Sequence, residues 1–131
     1  MFCVMAGKMS EGINFENQYA RCVVIVGIPY GNLTAGELKH KLAYLNELYP
    51  RTNTGDEYYI NSAMKKVNQS IGRAFRHAND YAAIILLDFR FLDTKTKKYL
   101  PSWITESIQD DVKEWKSLLT GLRRFFESIK N

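Results

Sequence analysis

Gln69, Gly72, Arg73 and Arg76 spell Q-x-x-G-R-x-x-R within a stretch of helical periodicity. At about 100° per residue, Arg73 lies about 40° and Arg76 about −20° from Gln69, so the three share one face. Ile60, Ala63, Met64, Val67, Ile71, Ala74, Phe75 and Ala78 fall between roughly 120° and 240°, on the opposite face. The spacing predicts a helix with one side in a core and two guanidiniums turned away from it. Paired guanidiniums suit phosphate oxygens, which they hold through planar, bidentate hydrogen bonds. Gly72 falls at the edge of the arginine face, and a glycine inside a helix costs about 1 kcal/mol against alanine. Its presence there fits close approach by a ligand or another domain. Periodicity alone leaves two readings open: a phosphate-binding surface, or a solvated face that happens to carry arginines.

The elements that must position these residues alternate between strand and helix. Phe2–Met5 is a short apolar strand candidate leading into the Gly7–Phe15 segment. Cys22–Ile28 is apolar and rich in β-branched residues, as a strand buried on both faces should be. Pro29–Gly36 is turn-rich, and Thr34 with Glu37 forms a T-x-x-E capping box. The helix after it carries Leu38, Leu42, Leu45 and Leu48 on one stripe. Pro50–Asp56 is a polar loop, and the arginine-bearing helix runs from about Glu57 to His77, stopping at Asn79-Asp80, where asparagine takes the left-handed cap conformation. Ala82–Asp88 is a third strand, Thr94–Lys98 a basic loop read as a solvated turn, and Ser102 caps a short helix. A final helix, 110–130, aligns Val112, Trp115, Leu118, Leu119, Leu122, Phe125, Phe126 and Ile129 in a stripe with the spacing of packed core. Strands joined by helical crossovers predict an α/β fold with a parallel sheet and flanking helices.

Composition sets the bounds. The 131 residues allow one domain with one core. Eighteen basic against fourteen acidic residues give a net charge of +4, compatible with nucleic acid without being diagnostic of it. No apolar run is long enough to span a bilayer, and Met1–Met5 lacks the basic leader and apolar stretch of a signal peptide. Cys3 and Cys22 stand in apolar strand contexts and read as buried free thiols. Two cysteines fall short of the four thiolates an iron–sulfur cluster normally takes. His40 and His77 have no ligand-spaced partner and read as polar or partly buried side chains. Tyr58 and Tyr59 could stack on bases, but packing is the better account of them.

Gly7-Lys8-Met9-Ser10-Glu11-Gly12-Ile13-Asn14-Phe15, followed by the Gln69–Arg76 helix, resembles motifs V and VI of superfamily-two helicases. More narrowly, the chain is similar to the XPD-like iron–sulfur DNA helicases, whose motif V runs G-K-x-S-E-G-h-D-F with h apolar. The likeness continues through Arg21–Tyr30, Val67–His77, Asp80–Phe91 and Leu100–Ile104. The S-E-G-I-N-F and V-N-Q-S-I-G-R wording resembles the branch involved in sister-chromatid cohesion. Asn14 stands where most of the group has aspartate; its amide keeps hydrogen-bonding capacity but carries no charge.

The resemblance implies a partial RecA-like, three-layer α/β fold of the P-loop NTPase kind, with a short, mostly parallel sheet and flanking helices, forming the C-terminal part of a second helicase lobe. Motif V would occupy 7–15 and motif VI 69–76. By position, Arg76 would be the arginine finger, Arg73 its neighbour on the same phosphates, and Gln69 a residue positioning nucleotide or water. Gly12, Asn14 and Gly72 would face the nucleotide, and Lys8 and Ser10 the DNA. The implied cofactors are ATP and Mg²⁺, with an iron–sulfur cluster only in the N-terminal part of a complete helicase. The implied partners are single-stranded or forked DNA and the N-terminal helicase lobe. Translocation would be 5′–3′ and the location nuclear. Further strands are expected ahead of motif V, so the chain reads as part of a longer helicase or as a stand-alone nucleic-acid-binding or regulatory module. By itself it is expected to be inactive. Gly7-Lys8-Met9 does not complete a Walker A loop, because Phe2 replaces its first glycine and Met9 its hydroxyl. Ile84–Asp88 does not complete a Walker B motif, because Phe89 follows where the catalytic carboxylate should stand.

Overall fold

A computed structural model describes residues 1–8, 20–75, 80–109, 112 and 114–129. Two strands, β1 (Cys22–Val26) and β2 (Ala83–Leu87), pair in parallel. Cys22 lies opposite Ala83 and Val26 opposite Leu87. The crossover between them carries α1 (Gly36–Leu48) and α2 (Thr54–Gly72). Beyond β2 come a 3₁₀ turn (Phe89–Leu92), the one-turn helices α3 (Thr94–Lys97) and α4 (Ser102–Thr105), and α5 (Trp115–Ser128). The expected α/β class, a partial RecA-like arrangement of parallel sheet and flanking helices, is borne out.

The core lies on one face of the sheet. Ala63, Met64, Val67 and Ile71 of α2 meet Ile25 of β1, and Phe91, Leu100 and Ile104 close the cluster from beyond β2. Val23, Ile84 and Leu86 pack against it as partly buried neighbours. Met64, Val67 and Ile71 are the most deeply buried side chains, and each contributes roughly 1.5–3 kcal/mol by leaving water. The 3.6-residue spacing of these positions is what turns α2 into a one-sided element.

Several expectations need correction. β1 is not buried on both faces: Val24 is 48% and Val26 70% exposed. Among the described residues the sheet has two strands, and its second face is only partly covered, with Val24, Val26 and Leu87 exposed. Phe2–Met5 forms no strand; the chain turns there, with Gly7 N–H donating to Val4 O at 3.0 Å. The Thr34–Glu37 capping box does not form. The Thr34 amide and hydroxyl both donate to Asn32 Oδ1, at 2.9 and 2.7 Å, and α1 starts after Ala35 without a side-chain cap. An asparagine two residues upstream offers its oxygen at shorter chain distance, so a local turn captures the threonine.

α2 begins at Thr54, inside the expected loop, because the Gly55 amide is satisfied by Asn46 Oδ1 of α1 at 3.0 Å. It ends at Gly72 rather than near His77. Gly72 is therefore a terminal residue, and the penalty of an interior helical glycine does not apply to it. Thr94–Lys97 is a helical turn capped by Asp93, with Thr96 buried, rather than a loop. Ser102 opens α4 but gives it no side-chain cap. α5 has no fully buried residue, and Trp115 is 66% exposed, so its stripe is not core. Both cysteines are exposed rather than buried, although partial burial pushes the Cys22 thiol up from its ordinary pKa. No helix among the described residues is long and apolar enough to cross a membrane.

Candidate functional site

The expected site falls into two groups. Gln69, Gly72 and Arg73 stand at the C-terminal end of α2; Gln69 and Gly72 are exposed and Arg73 half-buried. They lie on the side away from Met64, Val67 and Ile71, as the spacing predicts. The space beside Gly72 is open, since a Cβ built there would meet nothing within 4 Å. Arg73 caps the helix in α-helical geometry, its N–H bonding back to Ser70 O and Ile71 O. The structure thus places Gln69 and Arg73 on one edge at the end of α2, with open space beside Gly72. An anionic ligand fits that edge chemically, because an arginine and an amide supply donors suited to phosphate oxygens.

The second group is the motif V segment. Lys8 is described and exposed. It follows a turn in which Ala6 takes a left-handed φ of 60°, a conformation costing a non-glycine residue roughly 1–2 kcal/mol. Strain of this kind gathers at functional sites. Ser10, Gly12, Asn14 and Arg76 lie outside the described residues, as does His77. Among the described residues no group of three histidine, cysteine or acidic side chains could hold a metal ion.

Two polar clusters that sequence reasoning missed tie the strands together. At the N-terminal ends of the strands, Arg21 Nη1 donates to Asp80 Oδ1 and, at 2.9 Å, to Tyr81 O. At the C-terminal ends, Asp88 Oδ1 accepts from Arg90 N at 2.9 Å and Arg90 Nε at 2.8 Å, and Oδ2 accepts from Arg90 Nη2. The Arg90 guanidinium sits 5.2 Å over Tyr30, which stacks on Tyr59 at 5.0 Å. Tyr59 donates its hydroxyl to Gly31 O at 2.9 Å, so it serves packing, as expected. Tyr58 lies beneath Lys41, whose ammonium is 4.5 Å from the ring and lowers the phenol pKa by hydrogen bonding. The short i to i+2 spacing of Asp88 and Arg90 was a usable signal. Arg21 and Asp80 are 59 positions apart, a pairing that only the parallel register of the strands reveals.

The parallel sheet with its flanking helices is that of a partial RecA-like α/β fold, and comparison with known proteins gives its family. The helicase C-terminal domain family matches residues 1–107, and the chain belongs to that family. It is 47% identical over 113 residues to a mouse protein named ATP-dependent DNA helicase DDX11, covering 83% of this chain and 12% of that protein. The zebrafish (Danio rerio) protein of the same name is 44% identical over 129 residues, covering 96% and 14%. The ATP-dependent DNA helicase CHL1 of Kluyveromyces lactis is 44% identical over 121 residues, covering 86% and 15%. The chain therefore spans 12% to 15% of the length of these relatives.

Proposed function

We propose that the chain is the arginine-bearing lobe of an ATP-dependent DNA helicase of the DDX11 and CHL1 kind. The observation that carries this reading is the division of α2 into two sides. Met64, Val67 and Ile71 are buried, while Gln69 and Gly72 are exposed and Arg73 half-buried on the other side. Bound ATP with its Mg²⁺ would supply the γ-phosphoryl group whose transfer to water drives the motor. Arg73 would hold phosphate oxygens in the ground state and Gln69 would orient the nucleotide or a water. Arg76, three residues beyond Arg73 in the motif, would act on the charge that develops during transfer. Gly12, Asn14 and Gly72 would complete the nucleotide-facing surface, and Lys8 and Ser10 would contact the backbone of single-stranded or forked DNA. The opposing N-terminal lobe would contribute the phosphate-binding loop, the Mg²⁺ carboxylates and any iron–sulfur cluster. A nuclear role in sister-chromatid cohesion, with 5′–3′ movement, goes with this reading.

The test is Arg76→Ala in a full-length helicase carrying this segment, assayed for ATP turnover with saturating single-stranded DNA. An arginine finger contributes about 10³–10⁵ in rate. Turnover should therefore fall by at least about a thousandfold, with nucleotide affinity changed far less, because the interaction belongs to the transition state. Arg76→Lys should rescue poorly, since an ammonium lacks the planar fork. Lys95→Ala, at an exposed position on α3, is the control and should leave turnover intact. If Arg76→Ala retains more than about a tenth of the rate, against the expected thousandfold loss, the finger assignment is wrong.

A further inference from the structure

Arg21 enters β1 and Asp80 lies just ahead of β2, so their contact sits at the N-terminal ends of both strands. The Asp80 side chain is only 2% exposed, and it also accepts the Tyr81 amide at 3.0 Å. Arg21 reaches the same segment in three further ways. Its Nη1 donates to Tyr81 O at 2.9 Å, its guanidinium lies 4.1 Å from the centre of the Tyr81 ring, and its carbonyl accepts from Ala83 N at 2.9 Å. The last of these, with the strand ladder, already fixes the register of the sheet. An ion pair this shielded from water adds little net stability over apolar packing, because desolvation offsets the attraction. What such a pair supplies well is a defined geometry.

The position of that geometry in the chain gives it meaning. Arg21 lies seven residues beyond Asn14, and Asp80 four beyond Arg76. One contact therefore joins the segments that leave motif V and motif VI. The other side of the motif VI exit is also anchored, by Phe75 packed edge-on against Trp103 at 5.1 Å. We propose that the Arg21–Asp80 pair is a positioning device: by tying the exit of motif VI to the segment that follows motif V, it sets the approach of Arg76 to the nucleotide phosphates. Neither Arg21 nor Asp80 touches the reacting atoms; both act through the backbone they fix. This inference rests on the finger assignment above and names the residues that make the finger effective.

The experiment uses the full-length helicase carrying this segment. Asp80→Asn keeps the shape of the side chain and removes its charge. A catalytic group misplaced by about 1 Å can lose about 10² in rate, so kcat for ATP should fall by about ten- to a hundredfold, with KM for ATP nearly unchanged. Arg21→Lys, which keeps the charge but loses the fork, should give a smaller loss of the same kind. In an Arg76→Ala background, Asp80→Asn should lower kcat no further, because the group it positions is already gone. A further loss in that background, or a rise in KM matching the fall in kcat, would assign the pair a merely structural role and overturn the proposal. Unchanged kcat in Asp80→Asn would overturn it as well. Arg76→Ala alone reads the finger assignment, so its failure is distinguishable from failure of the pair. If Asp80→Asn does not fold, Arg21→Lys carries the same comparisons, because it keeps a positive charge opposite Asp80.

Discussion

Asp88 shows how a single side chain can close one end of a sheet. Its carboxylate accepts the backbone and side chain of Arg90, whose guanidinium in turn lies over Tyr30 beyond β1. The Arg90 hydrogen bonds hold the Asp88 carboxyl below its usual range. A carboxyl with a depressed pKa in the folded state contributes stability that is fully present above its unfolded value, about 3.9. That contribution is lost as the pH falls through the folded value. Asp88→Asn should therefore be less stable than the parent at neutral pH, and the gap should narrow steadily below about pH 4. Urea unfolding at a series of acidic pH values measures it; a gap that stays constant with pH would show that Arg90 does not depend on the Asp88 charge. At this scale the sequence was partly legible. The D-x-R spacing was in plain view, whereas Arg21 and Asp80 carry no local signature, because sheet pairing alone brings them together. The cysteines were misread for a related reason: an apolar neighbourhood in sequence implies burial only where another layer covers it.

At the level of the element, α2 was the most readable part of the chain and β1 among the least. The apolar positions of α2 repeat at helical spacing, and Ala63, Met64, Val67 and Ile71, all selected by that spacing, are buried, with Ile60 half-buried beside them. That split gives a quantitative expectation. Ile71→Ala removes a side chain that is 1% exposed and should destabilise the protein by about 2–5 kcal/mol. Gln69→Ala, two residues earlier on the open side, should change stability by less than about 0.5 kcal/mol. Chemical denaturation of the two variants decides it, and comparable losses would mean that α2 does not present one face to solvent. β1 was misjudged because its composition is that of a doubly covered strand, while only Ile25 of its five residues is buried. The start of α2 depends on a hydrogen bond from Gly55 to Asn46 in another helix. The lost capping box depends on competition from Asn32. Periodicity sees neither contact.

Taken as a whole, the molecule leaves much apolar surface open. Val24, Val26 and Leu87 are exposed on the second face of the sheet, and Trp115 and Leu119 on α5. Between β2, α4 and α5 runs an open groove of about 960 Å³, lined by Phe75, Tyr81, Ile85, Trp103, Leu122 and Phe125 among others. Contiguous apolar patches beyond a few hundred Å² are uncommon on monomers and favour association. The 131-residue chain should therefore self-associate, with a mass by light scattering that rises with concentration. The two surfaces differ in how they can do so. Among the described residues the sheet has no third strand, so it offers edge backbone donors and acceptors in addition to apolar side chains, and such an edge templates pairing with another chain. α5 has satisfied its own backbone and offers side chains alone. Val26→Lys, at a residue 70% exposed, should suppress association more than Leu119→Lys on α5, and neither should disturb the core around Met64. If Leu119→Lys returns the chain to a monomer while Val26→Lys leaves it associated, the α5 stripe is the adhesive surface. A wild-type chain that stays monomeric at all concentrations would show that neither surface is sticky enough to matter.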